Sequence, residues 1–76
     1  MDIHGLTPLF GQQVIIALTN GPKFVGVLKQ IPNSTSTIEL TPLPPDLADQ
    51  YSFAINGVSA LDVSGISFVQ RLNQPH

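Results

Sequence analysis

At 76 residues and 8.1 kDa the chain has room for one small core, which excludes a two-domain enzyme with a cleft between its halves. Its 42% hydrophobic residues predict a packed domain, while 11% are charged, with a net charge of −2, well under half the roughly 25% usual for soluble domains. The lack of Cys excludes a disulfide framework and a thiolate zinc site, and three cations spread along the chain do not make the basic stripe of a nucleic-acid binder.

The first predicted element is a stub of helix, with Thr7 as N-cap, Pro8 at the first helical position, and residues 9–13 supplying a turn or two before Gly11 weakens it. Val14, Ile15, Ile16, Ala17 and Leu18 are apolar and rich in β-branched residues, too few for a helix, and they end at Asn20-Gly21, a pair that favours a hairpin turn with positive φ. The return strand, residues 23–31, alternates Phe24, Gly26 and Leu28 on one face with Val25, Val27 and Lys29 on the other. Gly26 on the inward face marks a sharp bend. A polar turn at residues 32–36 leads into a strand over Thr37–Thr41, with Ile38 and Leu40 on one face. Residues 42–50 hold three of the seven prolines and two of the five acids; unable to donate a full hydrogen-bond ladder, they predict an exposed loop. Residues 51–63 fit either one long bent strand or a second hairpin at Asn56-Gly57. Ser64-Gly65 separates them from a last strand over residues 66–69, and residues 70–76 lose apolar patterning and predict a tail. The expected organisation is one domain over residues 1–69 with a Pro-rich insert at 42–50.

A short helix followed by about five short, strongly bent strands is the pattern of an all-β, SH3-like barrel. The spacing Val14-x-Ile16-x-Leu18-x-Asn20-Gly21-x4-Gly26-x-Leu28 resembles the first signature of the Sm-like family, including its bacterial Hfq branch. Val63-Ser64-Gly65-Ile66-Ser67-Phe68-Val69 is similar to the second signature, in which a tight turn containing Gly joins the last two strands. The likeness spans residues 7–69 and implies a small five-stranded Sm-like barrel with a short N-terminal helix. It also implies subunits that close into a homo-oligomeric ring of roughly five to seven copies and bind short single-stranded RNA, U-rich or A-rich, on a face or in the pore. Two departures bear on that activity. The family's loop after the second strand usually carries a base-stacking aromatic or His, and Pro32-Asn33-Ser34-Thr35-Ser36-Thr37 carries none. An Arg or Lys commonly precedes the Gly of the second signature, and here Ser64 stands there. A fold can be inherited where base recognition is not.

The RNA-binding candidates are therefore polar and uncharged. Asn33, Ser34 and Thr35, with Ser36 and Thr37, form a rim for uracil edges or phosphates, or an ordinary solvated turn. Ser64 and Gly65 line the pore of a ring, or simply make a tight turn. Gln12 matches a position near which bacterial Sm-like rings contact RNA, although a Gln on a short exposed helix needs no such explanation. Lys23 and Lys29 read as solubilising charges. Val25 and Val27 make the outer face apolar too, so a second copy covers that face, or the helix stub or the Pro-rich segment does. Tyr51, Phe53 and Phe68 read as core or interface.

Catalysis finds no constellation. His4 and His76 lie at the two ends, the lone Glu39 is on a predicted strand, and no metal-ligand spacing is present, so no enzyme activity, metal or cofactor is expected. No apolar run approaches the ~18 residues of a membrane helix and no secretory signal precedes Pro8, which predicts a soluble, cytoplasmic protein without a membrane partner. Ser, Thr, Asn and Gln number 21 against eight charged residues, a surface suited to association. Two function classes follow. One is an Sm-like ring that binds single-stranded RNA; the other is a structural or protein-interaction module whose apolar outer face or Pro-rich loop docks another protein.

Overall fold

A computed structural model describes residues 3–72. The chain opens with a 3₁₀ helix, Ile3–Leu9, in which Ile3, Leu6 and Leu9 recur every third residue and so share one stripe of a three-residue turn. Ile3 and Leu6 are buried and Leu9 packs beside them. The helix thus precedes the expected one, and Pro8 lies inside it. Residues 9–13 turn instead into the first strand, with Gly11 at φ 85 and its N–H donating to the Leu28 carbonyl at 2.8 Å.

The strands are β1 (Gln13–Leu18), β2 (Lys23–Gln30), β3 (Thr37–Thr41), β4 (Ile55–Asn56), β5 (Val58–Asp62) and β6 (Ile66–Arg71). They form one sheet in the order β5-β3-β2-β1-β6, antiparallel except for β4, which pairs with β2 in parallel. The Asn20-Gly21 hairpin between β1 and β2 forms as a three-residue loop: Leu18 N–H donates to the Pro22 carbonyl at 2.9 Å, and Gly21, at φ 114, supplies the one left-handed residue such a loop requires. The third strand covers the predicted residues. The last strand runs on to Arg71, and Leu72 behind it is buried, with its N–H on the Gln13 carbonyl at 2.9 Å. Residues 70–72 therefore belong to the sheet; the rest of the expected tail lies outside the described residues.

The connection from β5 to β6 dictates the shape. These strands stand at opposite ends of the order, four strand spacings or roughly 19 Å apart in a flat sheet, yet only the 3₁₀ turn Val63–Gly65 joins them. Three 3₁₀ residues span only about 6–8 Å. The sheet must curl until its ends nearly meet. Gly26 allows this: a Cβ there would stand 2.6 Å from the Thr41 carbonyl oxygen and 3.0 Å from Leu40 Cβ, so only glycine lets β2 and β3 close in. Register shifts opposite Ile38/Leu40 of β3 and Ala17/Leu18 of β1 place an extra residue in each outer strand, which increases their twist. The sheet is bent but not closed, since β5 and β6 are not hydrogen-bonded to one another along the strand path. In place of the expected closed five-stranded barrel, the molecule is an open six-stranded sheet.

Both faces of the sheet are buried at β1, as the unbroken run Val14–Ala17 requires of a strand covered twice. Inside the curl, Val14, Ile16, Leu28, Ile38, Leu40, Leu61, Val63 and Ile66 pack with Ile3 and Leu6. Outside it, Ile15, Val25, Leu43 and Leu72 form a second cluster with Val27, Leu47, Tyr51 and Ala54 around them. The Pro-rich segment is thus largely exposed, as expected, but it also covers the sheet through Leu43, with Leu47 and Ala48 beside it. Leu43 is 3% exposed, and the short helix α1 (Pro45–Ala48) and a 3₁₀ turn at Asp49–Tyr51 follow it across the outer face. The chain itself hides Val25 and Val27, which removes their apolar face as an argument for association.

Neither expectation for residues 51–63 is met. β3 leaves β2 at Thr41, opposite Val27, because Pro42 has no N–H to continue the ladder. The vacated half of β2 is taken by β4, with Phe24 opposite Ile55 and Val25 opposite Asn56. Gly57, at φ 84 and with its N–H on the Val25 carbonyl at 2.8 Å, then redirects the chain into β5 beside β3.

Candidate nucleic-acid interface

The curl brings three connections together. The turn Val63–Gly65 is held to the β2–β3 loop by the Val63 N–H, which donates to the Ser36 carbonyl at 2.8 Å. On its other side the Gly65 carbonyl accepts from the Thr19 N–H, in the β1–β2 loop, at 2.9 Å. Five of the six sequence candidates, Asn33, Ser34, Thr35, Ser64 and Gly65, accordingly lie in two adjoining loops. Gln12 does not join them. Its carbonyl accepts from Leu28 N–H at 3.0 Å, at the end of β1 remote from Thr19, which a strand of this length places roughly 20 Å away.

The β2–β3 loop is built on Ser34. Its Oγ accepts from the Thr37 N–H at 3.0 Å and, weakly, from the Ser36 N–H at 3.4 Å, and it shares a hydrogen bond with the Thr37 hydroxyl. This is the Ser turn that competes with strand and ends β2 locally. Asn33 beside it takes φ 66, a conformation Asn tolerates better than other side-chain-bearing residues. The consequence for recognition is that Ser34 and Thr37 are occupied with each other, while Asn33 and Thr35 are exposed and free to meet a ligand; Ser64 is exposed too, with its side chain on the Asp62 carboxyl.

Asp62 belongs to this rim although the sequence reading passed it by. Its Oδ1 accepts from the Ser64 N–H at 2.9 Å and caps the 3₁₀ turn. The Ser64 backbone N–H, followed by the Ser64 side chain, holds the carboxyl below its ordinary range. Asp two residues before Ser-Gly is itself a capping signal. Of the cations, Lys23 opens β2 just after the β1–β2 loop, Lys29 stands opposite Glu39, and Arg71 stands opposite Val14. The rim therefore offers neutral donors and acceptors with a carboxylate among them, a poor match to dense phosphate and a better one to uncharged base edges.

Phe53 and Phe68, expected in the core or an interface, are 64% and 46% exposed, and Ile55 is 56% exposed. Tyr51 is half-buried against the outer cluster, edge-on to Phe53 at 6.3 Å between ring centroids. Among the described residues no group of three or more His, Cys, Asp or Glu could hold a metal ion, and no helix is long and apolar enough to cross a membrane. No family model, curated protein or solved structure matches the chain.

Proposed function

We propose that this chain is an Sm-like subunit that joins copies of itself edge to edge in a ring of roughly five to seven and holds short single-stranded RNA against the rim of Asn33, Thr35 and Ser64. In this reading the bent sheet is an Sm-like barrel left open between β5 and β6, with β4 added on β2. The pair of free outer strands carries the proposal. β5 and β6 end the sheet, and although each carries a bulge, their middles, Ser59-Ala60 and Ser67-Phe68-Val69, hold none of the Lys or Pro that also blunt free edges. The two edges differ, so β5 of one copy on β6 of the next is a head-to-tail contact, which closes as a ring when its rotation allows. A ring repeats the rim around one axis, and repetition converts weak neutral contacts into useful avidity.

Absolute mass by light scattering behind a sizing column, at low and high salt, tests the ring: a salt-resistant multiple of the subunit mass supports it, and a monomer sinks it. Titration of fluorescent U-tract and A-tract RNA tests the ligand. Binding with a shallow salt slope is expected, and no affinity at micromolar ring overturns that half of the reading. A second reading, a protein-interaction module, rests on exposed Phe53 and Ile55 and takes first place if the protein is a monomer that ignores RNA.

A further inference from the structure

We infer that Asn20-Gly21 is a site of spontaneous backbone modification, where Asn20 converts to aspartate and isoaspartate, and that the fold shields the second Asn-Gly pair, Asn56-Gly57, from the same reaction. The chemistry needs only water. The Gly amide nitrogen, on losing its proton to solvent, attacks the Asn Cγ; the new C–N bond forms as the Cγ–Nδ2 bond breaks, and ammonia leaves with the proton. Water then opens the resulting cyclic imide at either of its two C–N bonds. One opening yields aspartate, and the other yields isoaspartate, in which the main chain runs through Cγ. No electrons are exchanged. Glycine in the second position favours the attack because no side chain obstructs the approach of its nitrogen.

The two pairs share a dipeptide and differ in how the fold holds it. At Asn56 both ends of the carboxamide are engaged: Oδ1 accepts from Leu43 N–H at 2.8 Å and Nδ2 donates to the Leu43 carbonyl at 3.1 Å. The Gly57 N–H is donated to the Val25 carbonyl at 2.8 Å, inside the sheet, and the Pro42 ring crowds Gly57, 2.6 Å from where a Cβ would be. Attack there requires three hydrogen bonds to open and β4 to leave β2. Asn20 and Asn56 are both exposed, so the difference lies in the hydrogen bonds: among the described residues nothing holds the Asn20 carboxamide. Its neighbour Gly21 makes a longer bond, 3.1 Å to the Leu18 carbonyl, and has open space around its Cα. A hairpin tip of this kind opens locally at little cost. Conversion sets a new carboxylate next to Thr19, whose N–H bonds Gly65, and the isoaspartate form lengthens the main chain in the loop between β1 and β2.

The test is peptide mapping by mass spectrometry, with separation of the isoaspartyl form, after ageing the intact protein in mildly alkaline buffer, folded and in concentrated urea. In the folded protein Asn20 is expected to convert at least about tenfold faster than Asn56, and in urea the two rates converge within about twofold. Asn56 keeping pace with Asn20 in the folded protein overturns the inference, as does Asn20 converting no faster than Asn33, which precedes Ser34. A tenfold gap that persists in urea assigns the difference to local sequence and overturns the shielding.

Discussion

Asn56 clips both main-chain groups of Leu43, thirteen residues earlier, accepting from its N–H at 2.8 Å and donating to its carbonyl at 3.1 Å. Leu43 is where the chain leaves the sheet after β3, and Asn56 is where it returns as β4. The clip therefore closes the whole Pro-rich excursion at its neck. Asn56→Ala leaves a partly buried N–H and carbonyl without partners, which costs about 1–3 kcal/mol. Urea unfolding measures this, and a midpoint equal to wild type would show that water replaces the amide without loss.

Leu43 makes part of the Pro-rich segment core. Leu43→Ala is expected to cost about 2–5 kcal/mol, as truncation of a buried leucine does, against a total stability of roughly 5–15 kcal/mol for a domain. Excision of residues 42–49 uncovers Ile15 and Val25, buried at 8% and 0% exposure, and is expected to leave an unfolded or dye-binding chain by circular dichroism and fluorescence. A shortened protein with wild-type stability would return the segment to the status of a loop.

Glycine substitutions separate the bend from the turns. Gly26→Ala drives a methyl to within 2.6 Å of the Thr41 carbonyl oxygen, a backbone atom that cannot step aside alone, so a loss of about 1–3 kcal/mol or more is expected. Gly65→Ala meets nothing within 4 Å and is expected to stay within about 0.5 kcal/mol of wild type. Equal thermal midpoints for the two variants would mean that the curl does not depend on Gly26.

The Asp62 cap has a defined pH signature. Its carboxyl is held below its usual 3.8 by the Ser64 N–H, so the folded state favours the ionised form. The stabilisation is present above the ordinary value and is lost as pH falls through the lowered folded one. Asp62→Asn keeps an acceptor oxygen for the Ser64 N–H and removes the charge. The stability difference between wild type and variant, followed by urea unfolding, is expected to shrink below pH 3.8; a difference that stays constant through that range would exclude the cap as its source.

Edge pairing is testable without disturbing the core. Phe68 on β6 is 46% exposed, and Phe68→Lys adds to that strand the kind of charge that blunts free edges. The expected result is a fall in solution mass to that of one subunit, with little change in the urea midpoint of the monomer. An oligomer unchanged by this substitution would place the contact elsewhere.

The sequence by itself determined the local half of this protein. The alternation of Phe24 and Leu28 against Val25 and Val27, the run Val14–Ala17, the Asn20-Gly21 turn and the strand Thr37–Thr41 were legible because strand period and turn chemistry act between near neighbours. Tertiary structure decided what covers what. Whether Val25 faces another molecule or Leu43 depends on where a Pro-rich segment lands after a long excursion, and apolar attraction is non-directional, so pattern alone does not choose the partner. The replacement of β3 by β4 along β2, the exposure of Phe53 and Phe68, and the entry of Asp62 into the rim share that origin. Each depends on contacts between residues far apart in the chain, which no local window of sequence contains.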